Sequence, residues 1–117
     1  MIPPPTISPH GKAIARLLAD WASPAPGVTI YFFGSRVRGD HGPASDVDVC
    51  IQFGQVGQTA IDWHTRNEEE DYATINRHLP SKLKILERND PWWQRVVAAE
   101  VVHRDRNVCC VWLPPKL

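Results

Sequence analysis

Apolar positions recur along this chain with two different periods, and proline, glycine or serine stands wherever one period gives way to the other. Ile14, Leu17, Leu18 and Trp21 carry the spacing of one helix face. Ser8 stands at the N-cap position, where its hydroxyl accepts a backbone N–H, and Pro9 falls in the first turn, so the spacing predicts a helix over 9–22. Ser23 to Gly27 is a turn cluster. Val28 to Phe33 is then a β-branched and aromatic run that stops at Gly34, the pattern of a buried strand. A connection rich in Gly, Pro and Asp leads to Ser45. Beyond it Val47, Val49, Ile51 and Phe53 alternate with Asp46, Asp48, Cys50 and Gln52, a second strand with both aspartates on one face.

In the second half, Gly54 to Gln58 reads as a loop. Thr59 is a candidate cap for a long polar helix ending at Leu79, with Ile61, Tyr72, Ile75 and Leu79 as a broken apolar stripe. Its run Glu68 to Asp71 is a solvated face, because like charges in a block favour water. Pro80 stops the helix, and Leu83 to Leu86 reads as a third strand. Pro91 opens a helix containing Trp92, Val96, Val97 and Ala99. Val108 to Leu113 is apolar enough for a final strand or packed extension, pairing back on Glu100 to His103 across Arg104 to Asn107. This order predicts an α/β (α+β) sandwich, a short mixed sheet with helices packed on it. No internal repeat is present.

Composition narrows the classes. A chain of 117 residues, 43% apolar and 22% charged, is expected to form one domain over 1–117, with a proline-rich tail at 1–7 and a C-terminal extension from about 104 to 117. Thirteen basic and thirteen acidic residues leave no net positive field, which disfavours stable nucleic-acid binding. No stretch reaches the roughly 18 apolar residues of a membrane span, and the first residues lack the regions of a signal peptide, so no membrane association and a cytoplasmic location are expected. Cys109 and Cys110 adjoin in a set of three cysteines, which allows no two-bridge framework and points to a reducing compartment. The five histidines are scattered and show no zinc spacing.

Chemistry concentrates between residues 34 and 48. Gly34 ends a strand where backbone can approach a ligand, and Ser35 opens a turn whose amides suit an anion. Arg36 and Arg38 add positive charge. Ser45-Asp46-Val47-Asp48 follows, and two carboxylates at i and i+2 on a strand repel at about 5 to 7 Å until a cation lies between them. Magnesium suits such oxygen ligands, together with water and nucleotide phosphates. A phosphate cradle beside a metal-binding pair describes an enzyme that positions a nucleoside triphosphate for attack.

These residues, Gly-Ser-x-x-x-Gly followed by Ser-Asp-x-Asp, resemble the minimal nucleotidyltransferases of the DNA polymerase β-like superfamily, closely over Val28 to Phe53. The resemblance implies the small nucleotidyltransferase fold and transfer of AMP from ATP. Gly34 and Ser35 would hold the terminal phosphates, Arg38 would neutralise them, and Asp46 and Asp48 would bind two magnesium ions (Mg2+). Arg36 matches a variable position and is expected at the surface, and Ser45 is expected to fix the turn into the strand. The family's third carboxylate belongs on the third strand, where this chain reads Ser81-Lys82-Leu83-Lys84-Ile85-Leu86-Glu87-Arg88. Glu87 is the candidate substitute. If Lys84 or Ser81 takes that position instead, turnover is expected to be weak or absent.

The resemblance further implies an antitoxin that neutralises a HEPN-type ribonuclease toxin by adenylylating a hydroxyl on it, since a chain of this length leaves the acceptor to a separate partner. The alternative is a weak or inactive relative that neutralises its partner by binding alone, with Trp92, Trp93 and Trp112 as interface anchors or, by their size, core residues.

Overall fold

The computed structural model describes residues 6–22, 27–53 and 75–115. Within them run α1 (Pro9–Ala22), β1 (Val28–Phe33), α2 (Ser35–Arg38), β2 (Val47–Phe53), β3 (Leu83–Ile85), α3 (Trp93–Val97), β4 (Glu100–Asp105) and β5 (Val108–Trp112). Residues 75–78 also form a helical turn, whereas the expected cap at Thr59 and the acidic run lie outside the described residues.

The five strands make one mixed sheet in the order β3-β2-β1-β5-β4. β1 is antiparallel to β2 and parallel to β5, β2 is parallel to β3, and β4 and β5 form an antiparallel hairpin. This is the mixed sheet with packed helices that the element order predicted. The C-terminal segment is no appendage, because β5 lies inside the sheet between β1 and β4. Val108, Cys109, Cys110 and Val111 are all buried, a continuous apolar run covered on both faces. Ile7, at the end of the proline-rich segment, also enters the core.

Alternation along each strand builds two core layers. Ile30 and Phe32 of β1, Val47, Val49 and Ile51 of β2, and Val108 and Cys110 of β5 pack with α1, Ile75 and Leu79. Phe33, Cys50, Cys109 and Val111 point to the other face, against Trp93 and Val96 of α3 and Leu113. α1 starts as expected: the Gly11 N–H donates to Ser8 Oγ at 3.2 Å and the Lys12 N–H to Ser8 O at 3.0 Å. Its buried line runs through Gly11, Ile14, Ala15, Leu18, Ala19 and Ala22, while Leu17 and Trp21 are only partly buried. The small residues let the helix axis approach the sheet, so the contact line is rotated toward the alanines.

All three cysteines are free and buried. Burial pushes the Cys50 and Cys110 thiols up to about 12, which makes both inert as nucleophiles near neutral pH.

Candidate active site

The site forms where β1 ends. Register pairs Phe33 with Asp48 across the antiparallel ladder, so the residue that follows Phe33 meets the Asp48 side chain. That residue is Gly34, at φ +91°, a conformation that L side chains rarely adopt. A Cβ built there would lie 2.5 Å from Asp48 Oδ2, so the position has no room for one. α2 then turns at once: the Val37 and Arg38 N–H groups donate to Gly34 O at 3.1 and 3.0 Å, and Gly39, at φ +94°, closes the turn through a 2.7 Å bond to Ser35 O.

A pocket of about 220 Å³ opens at this corner. Gly34, Ser35, Arg38, Asp48, Lys84 and Trp92 are among its lining residues. Four of the residues picked out as a phosphate and metal site, Gly34, Ser35, Arg38 and Asp48, thus come together. Arg38 is held in place by Leu113 O, which accepts from Nη1 at 3.3 Å, and by Asp40, 3.2 Å from Nε. Asp46 stands exposed just before β2 and is not among the pocket-lining residues.

On β3 the residue opposite Asp48 is a lysine. β2 and β3 run parallel with Asp48 opposite Lys84, and both side chains line the pocket. Glu87 does not join the carboxylates: it is exposed, beyond the end of β3, and outside the pocket lining. Ser81 is used elsewhere, its hydroxyl donating to Ser45 O.

Arg36 is the residue that sequence reasoning misplaced. Expected at the surface, it is only 2% exposed. Its Nε donates to Ser45 O at 3.0 Å, its Nη2 approaches Gly42 O and Pro43 O at 3.4 Å, and its Nη1 donates to His10 Nε2 at 2.9 Å. The guanidinium thus fastens the loop that delivers Asp46 to the first helix. Ser45 plays the expected turn role, its Oγ accepting the Gly42 N–H at 2.9 Å. Of the tryptophans, Trp93 is buried in the second core layer, Trp92 lines the pocket with the Arg95 guanidinium 4.8 Å from its ring centroid, and Trp112 is half-buried. Trp93 is therefore unavailable as an interface anchor.

His10 contributes a pH dependence. Its ring stacks on His41 with centroids 4.6 Å apart, and because arginine only donates, Nε2 must be the unprotonated acceptor. Desolvation, with the charges of His41 and Arg36, holds its pKa below 6.5. The folded state therefore takes up this proton less readily than the unfolded chain, and stability present above about pH 6.5 is lost as pH falls through the depressed value. His10→Gln keeps an acceptor for Arg36 and is expected to flatten the melting temperature between about pH 5 and 7. An unchanged slope would place the titrating group elsewhere.

The site thus joins a glycine-led turn, two cationic residues and a strand aspartate around one pocket. A family model for the nucleotidyltransferase domain matches residues 14–101, and the chain belongs to that family. Searches of curated proteins and of solved structures found no match.

The family implies magnesium. Of the two aspartates, Asp48 lines the pocket and fits a magnesium ion carried in on a triphosphate, which needs only one or two protein carboxylates, while Asp46 stands exposed just before β2. The donor set does not fit a centre with a third carboxylate, because Lys84 stands there and no group of three or more His, Cys, Asp or Glu comes together among the described residues.

Proposed function

We propose that this domain binds ATP in the pocket at the end of β1 and transfers AMP to a hydroxyl on a partner protein, with a HEPN-type ribonuclease toxin as that partner and the domain as its antitoxin. The observation that carries the reading is the meeting of Gly34, Ser35, Arg38 and Asp48 around one pocket. Gly34 lets phosphate approach the backbone, Ser35 supplies a hydroxyl donor, and Arg38 faces the charge that grows as the leaving phosphates separate. Asp46 and Asp48 would hold the magnesium ion, whose chemistry is to offset triphosphate charge. Membership of the nucleotidyltransferase family supports the reaction type.

A second reading, neutralisation of the partner by binding with little or no turnover, is favoured by Lys84, which puts a cation where the attacking hydroxyl needs help from an anion. Incubation with labelled ATP, magnesium and the candidate toxin, followed by intact mass of both chains, separates the two. Added AMP on the partner supports transfer, and a stable complex without mass change supports binding alone. Asp46→Asn with Asp48→Asn is expected to keep the fold, measured by circular dichroism, while abolishing magnesium binding and any transfer. Transfer at the wild-type rate in that double variant would refute the assignment of the carboxylates.

A further inference from the structure

The position of Lys84 has a consequence for how the pocket handles charge. In the parallel ladder it is the register partner of Asp48, so its stem leaves β3 on the same face, and both residues line the pocket. Its ammonium is a compact point charge on a flexible stem, within reach of the space between Asp48 and the Gly34 turn. Among the described residues, the charged side chains lining the pocket are Arg38, Lys84 and Asp48, and Asp40 pairs with Arg38 from outside the lining. Arg38 is already seated, with Nε on Asp40 and Nη1 on Leu113 O. Lys84 and Arg38 together offer phosphate oxygens two cationic donors at one pocket.

We propose that Lys84 and Arg38 hold the phosphate groups of a nucleoside triphosphate directly, so that nucleotide binding here does not require a divalent cation. The proposal rests on reading the pocket as a nucleotide site. It separates binding, which the two side chains carry, from transfer, which still calls on Asp46 and Asp48.

Titration calorimetry with ATP tests it, run once in excess EDTA and once in magnesium. Wild-type affinity is expected to agree within a few-fold between the two buffers. Lys84→Met, at an exposed position and so with its melting temperature unchanged, is expected to lose about ten- to hundredfold of the affinity in EDTA, the scale of one charge-assisted hydrogen bond. Lys84→Asp is expected to bind ATP only with magnesium. Wild-type binding that appears only with magnesium overturns the proposal and leaves the nucleotide site standing, as does a Lys84→Met variant with undiminished affinity in EDTA. Failure of the wild type to bind ATP in either buffer overturns both.

Discussion

Replacing Arg36 by methionine is expected to lower stability by about 2 kcal/mol, since a buried guanidinium that ties three loop carbonyls to His10 is lost and part of the loop closure goes with it. Methionine roughly keeps the length of the side chain, so the loss reports the guanidinium and not a cavity. The guanidinium reaches Ser45 O, Gly42 O, Pro43 O and His10 Nε2 at once. Lysine cannot span these acceptors with a single ammonium, so Arg36→Lys is expected to recover little. Urea denaturation measures the stability, and amide exchange over residues 39–46 should accelerate in both variants. A methionine variant as stable as wild type would show that the loop closes without this clamp.

Gly34→Ala is expected to damage nucleotide binding almost as much as Gly34→Val, because the harm begins with the first side-chain carbon. At φ +91° any non-glycine residue is strained, at a cost of about 1 to 3 kcal/mol. The same carbon would lie 2.5 Å from Asp48 Oδ2, so Asp48 must swing away or the turn must open. Either movement disrupts the corner where Ser35, Arg38 and Asp48 meet. ATP affinity by calorimetry and the melting temperature should fall together. Wild-type ATP affinity in Gly34→Ala would mean that phosphate does not approach this turn.

The first half of the fold was legible because its elements are bounded by strong local signals. Ser8 and Pro9 start α1, Gly34 stops β1, and the alternation from Val47 to Phe53 marks β2, each at the observed residue. The hairpin of β4 and β5 was legible as well, with a tighter turn than expected, in which Arg106 takes φ 52°. Placing β5 beside β1 was not legible, since that pairing joins residues 30–32 to 108–110 and no local pattern encodes it. The site divides in the same way. Gly34, Ser35, Arg38 and Asp48 follow from motif and strand geometry. Arg36 was missed because its partners are mostly backbone carbonyls, which every residue carries and no sequence displays. The pairing of Lys84 with Asp48 depends on the register of β3 against β2, across more than thirty residues, which no local pattern displays.

The interior position of β5 also orders events during synthesis. The ribosome makes β1 and β2 early, yet one edge of β1 has no strand beside it until residues 108–112 have been added. Until then Phe33, Cys50 and Trp93 also lack Cys109, Val111 and Leu113, their neighbours in the second core layer. The nascent chain therefore carries an open strand edge on β1 until residues 108–112 emerge. Arg38, bonded to Leu113 O, receives its final support only when that last stretch docks. Closure of the β1 edge and completion of the pocket thus both wait on residues 108–113.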